Sequence, residues 1–343
     1  MSRIEDKYAR LETQAQLGGV YDAIGRIDTE LTELPFDLEA LRDRGYVHSG
    51  QLEDKLGAMA DKWDDVRPRV ESNLKRQVER VDKELVQAGN MVNRMSANKA
   101  SSIRAADTAV NSLERRINAA RSAVDSLYDG IEDELAAIES QLRAVEEIFE
   151  LLDGSPDIQL RDAEGPLLCV KTRWHRDGKK EGPEGYLFLT DQRLIFEQRE
   201  EVVTKKHFGL FKADSEMVQE VHVDVDVHQI EDIKHKEEGG FLGMGKDDII
   251  EFVFAATADY SRARFHLQGQ NSSEWAATIK RIQTGDIDED RSDAYVDELE
   301  EAGIVSASFP TECSNCYAAI PEQPRGVTSY TCEFCGTVTM PES

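Results

Sequence analysis

From about residue 69 to 152 the chain contains no proline, and apolar or small residues recur at steps of three and four. The series runs Val70, Leu74, Val78, Val81, Leu85, Ala88, Val92 and Met95, passes a polar Lys99, and resumes at Ile103, Ala106, Val110, Leu113 and Ile117, continuing through Leu135 to Leu152. Alternating threes and fours define a heptad seam, the signature of long helices that bury one stripe. Consecutive steps of four at 70-74-78, 95-99-103 and 127-131-135 read as stutters, where a supercoil unwinds locally. One unbroken helix of this span would reach about 125 Å at 1.5 Å per residue and cannot bury its stripe alone. Residues 2–34 carry a similar stripe that Pro35 is expected to close, and a shorter amphipathic stretch at 51–66 lies between Gly50 and Pro68. The expectation is a helical coiled-coil region over 1–153, and the pattern leaves open whether it packs within one chain or between copies.

Charge is unevenly distributed over the 343 residues, whose formal net charge is −27. Residues 1–156 carry 21 Lys+Arg against 31 Asp+Glu, residues 157–283 carry 18 against 24, and residues 284–343 carry 2 against 13. So acidic a tail repels nucleic acid and anionic lipid. One stretch runs the other way: residues 67–121 hold 12 Lys+Arg and 6 Asp+Glu. A basic helical face of that kind suits an anionic membrane surface, while the plainer reading is a solvated face balanced by neighbouring helices. No signal peptide is read at the start, and no apolar run approaches the ~20 residues needed to span a bilayer. The expected compartment is cytoplasmic, peripheral to a membrane in the alternative reading.

After Asp153-Gly-Ser-Pro156 the period changes from helical to strand-like. Strands are expected at 166–173, 185–190, 193–199, 218–228, 249–255 and 262–267, followed by a helix over about 271–283 on which Trp275, Ile279 and Ile282 share a face. That order describes a small antiparallel barrel or sandwich with a C-terminal helix. Gly185-Tyr-Leu-Phe-Leu-Thr190-Asp-Gln-Arg193-Leu-Ile-Phe196 resembles the hairpin of GRAM and bacterial PH-like domains: strand, Thr-Asp turn, then Arg-Leu-x-Phe. Val227-His-Gln-Ile230-Glu-Asp-Ile233, the strand Ile249–Phe254 and the Trp-bearing helix follow in the order of that family. The resemblance covers about 160–285 and implies a domain that binds lipid headgroups, peptides or partner proteins, seldom with enzymatic activity. Arg173, Arg176, Lys179 and Lys180 are the nearest candidates for headgroup contact, in a loop shared with Asp177, Glu181 and Glu184.

Four of the five cysteines stand near the C-terminus as two pairs, Cys313-Ser-Asn-Cys316 and Cys332-Glu-Phe-Cys335, with fifteen residues between them. The spacing is that of a tetrahedral four-cysteine zinc site. Gly336 suits the left-handed backbone such a knuckle often needs. A segment this short has too little core to fold alone, so the metal would supply much of its folding energy. The rival reading, a redox dithiol, fits a single C-x-x-C better than two. Four thiolates leave no open position for water or substrate, so the zinc is expected to be structural. Zinc ribbons often bind nucleic acid, but Arg325 is the only basic residue of this one. The fifth cysteine, Cys169, sits in an apolar stretch and reads as a small core hydrophobe.

Other signals weigh less. Gly240-Phe-Leu-Gly-Met-Gly245-Lys246 fits a phosphate loop, but Asp247 stands where Ser or Thr would ligate magnesium and a strand follows where a helix is needed. Lys205–Lys212 mixes lysines with Phe208, Leu210 and Phe211, and with Phe241, Leu242 and Met244 could form a wedge, though packing on the barrel is the plainer reading. His222 and His228 lie at even spacing on an expected strand. The chain is expected to be multidomain α + β: helical region 1–153, PH-like domain 158–284, acidic linker 285–311 and zinc ribbon 312–343. The expected function is a non-enzymatic scaffold or adaptor that self-associates through the coil and docks protein partners. The alternative is a peripheral membrane protein binding anionic lipid.

Overall fold

The computed structural model describes residues 2–161, 164–176, 182–205, 214–238, 247–292, 295, 309–320, 330–332 and 334–340. Two compact units result: Met1–Glu39 with Leu52–Leu142, and Ala40–Gln51 with Arg143–Ser343.

The helices are α1 (Ser2–Gln14), α2 (Gly18–Asp43), α3 (Leu52–Asn93), α4 (Ala100–Asp125) and α5 (Asp129–Asp153). The long stripe is therefore divided among α3, α4 and α5, with breaks at 94–99 and 126–128. Both breaks fall where the heptad pattern stutters. At the first, Asn93, Ser96 and Asn98 compete for backbone hydrogen bonds; the Ser102 hydroxyl donates to Lys99 O (2.8 Å) and accepts from the Ser96 N–H (3.1 Å). The chain reverses there, and α4 packs along α3 with Arg116 Nε 2.8 Å from Glu84 Oε1.

Val70, Leu74, Val81 and Ala88 of α3 and Ala106, Val110, Leu113, Ile117, Ala120 and Val124 of α4 are buried, so the stripe is covered within one chain. The first helix, α1, lies against both. Lys7 Nζ donates to Asn111 Oδ1 (2.8 Å) and Glu114 Oε2 (2.7 Å). Gly89 admits the Tyr8 ring, because a Cβ at that position would lie 2.6 Å from the Tyr8 hydroxyl.

Neither Pro35 nor Pro68 ends a helix; Pro35 lies inside α2 and Pro68 inside α3. Both rings are on exposed faces, where the carbonyl that loses its donor can be hydrated. Beside Pro35, Leu34 and Leu38 are buried, and across the helix from Pro68 so are Trp63, Val70 and Leu74. Each such side chain contributes about 1.5–3 kcal/mol, which together outweigh the ~3 kcal/mol cost of an interior proline. Pro68→Ala is accordingly expected to stabilise the helical unit by about 1–2 kcal/mol, the gain in helix propensity being partly offset by a freer unfolded chain. Thermal unfolding followed by circular dichroism would show it, and an unchanged or lower midpoint would contradict it.

The second unit is built on seven antiparallel strands: β1 (Pro166–Trp174), β2 (Glu184–Thr190), β3 (Arg193–Lys205), β4 (Asp214–Asp226), β5 (Ile230–Glu238), β6 (Asp247–Phe254) and β7 (Arg262–Leu267). Their order is β4-β3-β2-β1-β7-β6-β5. Among the described residues no ladder joins β4 to β5, so the sheet is open where a closed barrel or sandwich was expected. Helix α6 (Ser272–Thr284) packs on β5 and β6.

Alternation supplies the core: Leu187, Leu189, Leu194, Phe196, Val223, Val225, Phe252 and Phe265 point inward, and Trp275, Ile279 and Ile282 of α6 close over them. The sequence reading missed β5, because Ile230-Glu-Asp-Ile-Lys-His-Lys-Glu-Glu238 is almost all charge. Charge is what an end strand tolerates, having only one neighbour and one apolar face. His222 lies on β4, but that strand ends at Asp226 and His228 falls in a 3-10 turn, so the two do not share a strand face.

Candidate metal centre

The two cysteine pairs fold into matching knuckles. In the first, the Tyr317 N–H donates to Cys313 O (2.9 Å) and the Cys313 N–H to Ala318 O (2.8 Å). In the second, the Gly336 N–H donates to Cys332 O (2.8 Å) and the Cys332 N–H to Thr337 O (2.9 Å). The residue after the second cysteine is left-handed in both, with φ 71° at Gly336 and 58° at Tyr317. Glycine takes that conformation freely, as expected at Gly336; a tyrosine there is uncommon and is held by the knuckle's hydrogen bonds. Two short strands, β8 (Tyr330–Thr331) and β9 (Val338–Thr339), pair beside the second knuckle, and an isolated bridge joins Glu312 to Ala319 beside the first.

All four sulfurs converge within 4.8 Å of one another. Cys313 Sγ is 3.6 Å from Cys335 Sγ, and Cys316 Sγ is 3.5 Å from Cys332 Sγ. A disulfide needs about 2.05 Å. Four sulfurs each about 2.3 Å from one ion would form a tetrahedron with edges of about 3.8 Å, close to what is seen. Cys313 and Cys332 are buried, Cys316 and Cys335 exposed.

Backbone donors favour thiolate. The N–H groups of Asn315 and Cys316 lower the Cys313 pKa. The Thr337 hydroxyl and N–H hold Cys335 down to about 6. The Ala318 N–H also favours the Cys316 thiolate, but the neighbouring sulfurs, with some loss of hydration where they crowd together, outweigh it and push that thiol up to about 12. Hydrogen bonds of this kind orient metal-ligating thiolates. Thr337 and Tyr317 carry no distinctive sequence signal; their roles follow only from the folded knuckles.

The remaining site candidates are not brought together. Arg173 is paired with Glu184, and the Arg176 guanidinium lies 5.2 Å from the centre of the Trp174 ring. Lys179, Lys180 and Arg325 lie outside the described residues, as do 206–213 and 239–246, which hold most of the lysine-aromatic wedge and the whole of the rejected phosphate loop. The segment after that loop, Asp247–Phe254, is a strand, which removes the helix N-terminus a phosphate loop needs. Cys169 is half-buried on β1 and not a member of the sheet's hydrophobic core, where it was expected, yet desolvation still pushes its thiol well up, as befits an unreactive group. No helix of the described residues is long and apolar enough to cross a membrane.

Sequence reasoning did not find the buried charge around the Thr-Asp turn. Thr190 Oγ1 accepts from the N–H groups of Gln192 (3.1 Å) and Arg193 (2.8 Å), as a turn-starting threonine does, and is 2.6 Å from Glu164 Oε1. Asp191 reaches away from the turn. Its Oδ1 accepts from the Gly165 N–H (2.9 Å), and its Oδ2 takes Arg291 Nη2 (2.7 Å) and lies 3.3 Å from His48 Nε2. The backbone seals the same junction, Gly50 N–H donating to Asp290 O and Ser292 N–H to Val47 O, both at 2.8 Å. Segments 47–50 and 290–292 are thereby fastened beside the β2–β3 turn. Thr190→Val should cost about 1–3 kcal/mol, since two turn N–H groups and the Glu164 carboxylate lose a partner while volume is kept. A urea midpoint within experimental error of the parent would contradict this.

No family model matches the chain, and no curated protein matches it. PH domains recur among the solved structures to which it is similar. It shares 15% identity with a structure described as "Vps36 N-terminal PH domain" (TM-score 0.24), over 36% of this chain and 82% of that one. It shares 17% with the C-terminal domain of an unknown protein from Leishmania infantum (TM-score 0.22), over 35% of this chain and 86% of that one. For autoinhibited Vav1 the values are 12% and a TM-score of 0.26, over 98% of this chain and 67% of that one. Likeness this slight carries no argument about function, which has to come from the chain's own residues.

Proposed function

We propose that this chain is a non-enzymatic adaptor whose PH-like sheet domain and C-terminal four-cysteine zinc ribbon dock partner proteins. The observation that carries the reading is the closed set of sulfurs at Cys313, Cys316, Cys332 and Cys335, all within 4.8 Å of one another. Four thiolates complete a tetrahedral zinc ion's coordination and leave no position for water, so the ion would organise the fold and perform no chemistry. The donor set and the N–H···S pattern of the knuckles fit zinc. Seven antiparallel strands in the order above, followed by a helix carrying a buried Trp275, support the PH-like reading of 158–284 and the GRAM-type hairpin within it.

The centre would give its surroundings a stiff frame. Tyr317 and Phe334, one on each knuckle, are 76% and 78% exposed. Aromatic side chains presented on a rigid tip are effective anchors for a protein partner. The helical stripe is already covered within the chain, so docking of this kind requires no self-association. The test is affinity capture from cell extract with the full chain and with Tyr317→Ser/Phe334→Ser. Proteins retained by the first and lost from the second, with metal content equal, would support docking through the tip. An unchanged set of captured proteins would refute it.

A further inference from the structure

The outer face of α3 has a geometry that the count of basic residues does not reveal. Arg69, Arg76, Arg80 and Lys83 are spaced by seven, four and three residues, which places them along one line of α3, and Arg94 follows one residue past the helix end. Ser72, Gln87 and Asn90 fill the gaps, and all eight positions are exposed. The line lies opposite Val70, Leu74, Val81 and Ala88, the buried face of α3. Over Arg69–Asn90 it extends about 32 Å at 1.5 Å per residue, with Glu79 at its edge. Farther round the helix, Arg67 takes Glu71 and Arg116 takes Glu84. Arg76, Arg80, Lys83 and Arg94 have no ion-pair partner among the described residues. Beside the line, Val86 and Met91 are 62% and 43% exposed.

We propose that this ridge is a docking surface for an anionic lipid bilayer. A straight row of cations on a rigid helix meets a planar charged surface all at once, whereas a small anion would meet one or two of them. The exposed apolar pair on the flanks is what an interfacial helix inserts among headgroups and a phosphodiester backbone would leave in water. No aromatic side chain stands in the row to stack a base, as single-stranded nucleic acid binding uses. At physiological ionic strength the repulsion from acidic groups more than about 8 Å from the bilayer is largely screened, so most of the chain's charge of −27 weighs little once the ridge is in contact. At contact the ridge dominates, each cation strengthening binding about fivefold. This surface belongs to the helical unit and does not depend on the metal-centre reading.

The test is co-sedimentation of the full chain with vesicles of phosphatidylcholine alone or containing about one third phosphatidylserine, at low and at high salt. Binding is expected only to the anionic vesicles and only at low salt. Arg76→Gln/Arg80→Gln/Lys83→Gln should weaken it about 100-fold without altering the helical signal or metal content, because all three side chains are exposed. Neutralising three cations off the ridge (Arg10, Lys55 and Arg104) should weaken it far less. No binding by the parent chain, equal loss from both triple variants, or stronger retention by DNA or polyglutamate than by the vesicles at matched salt would overturn the proposal.

Discussion

Arg193→Ala is expected to destabilise the sheet domain by about 3–5 kcal/mol, among the largest effects of any single substitution in this chain. Arg193 is nearly buried and forks onto Glu164, with Nε 2.9 Å from Oε1 and Nη2 2.9 Å from Oε2. Its Nη1 also donates to Asp224 Oδ2 (2.7 Å) and Nη2 to Gln159 O (2.8 Å). Burial opposes the Arg193 charge, but Glu164 and Asp224 outweigh it and raise the pKa above its ordinary value, so the group stays cationic at every accessible pH.

Removing the guanidinium leaves the buried Glu164 carboxylate, among the described residues, the Thr190 hydroxyl and the Arg161 N–H, both at 2.6 Å. That uncompensated charge, more than the lost pair itself, sets the size of the effect. Replacing both partners, Arg193→Met with Glu164→Leu, should cost much less than either single alanine variant, since no charge is then stranded. Urea unfolding of the four members of this cycle reads the coupling directly. A single-variant loss below about 1 kcal/mol would mean that Glu164 finds water.

Cys332→Ser is expected to abolish metal binding and unfold the ribbon while leaving the rest of the chain folded. The ribbon's described core is Cys313, Ile320 and Cys332, with Phe309, Ala318 and Tyr330 packed against it. So small a cluster cannot offset the entropy of ordering the segment, whereas a structural zinc supplies about 10–16 kcal/mol of apparent binding energy. Metal analysis of the parent should give about one zinc per chain. The serine variant or prolonged chelation should give none, with new protease cleavage confined to the region after about residue 309. Cys169→Ser should leave metal content unchanged, because Cys169 lies on β1 opposite Phe188, outside the cluster. A parent protein that is metal-free with disulfide-bonded knuckles would end the zinc reading.

The helices, six of the seven strands and the four cysteines were legible in the sequence because each rests on short-range information. A stripe at three- and four-residue steps, alternation at two, and a pair of C-x2-C motifs are periodicities that local geometry imposes whatever the rest of the chain does. Two of the three stutters, read as local unwinding, coincide with the ends of α3 and α4, while the third, 70-74-78, lies inside α3. Local rules misjudged Pro35 and Pro68, because a proline's cost is a local quantity and the burial that overrides it is not. The strand Ile230–Glu238 escaped notice because an end strand needs little apolar character of its own.

The order of residues along the chain determined by itself that it combines long amphipathic helix, a strand-rich stretch and a four-cysteine tip, since each is written in short-range spacing. Only the tertiary structure decided that the helical stripe folds back on itself within one chain. It alone brought His48, Asp191 and Arg291 into one buried junction and covered the face of α3 opposite its row of cations. Charges are placed by what surrounds them in space, and the hydrophobic pattern along the chain is silent about which of them will be buried together.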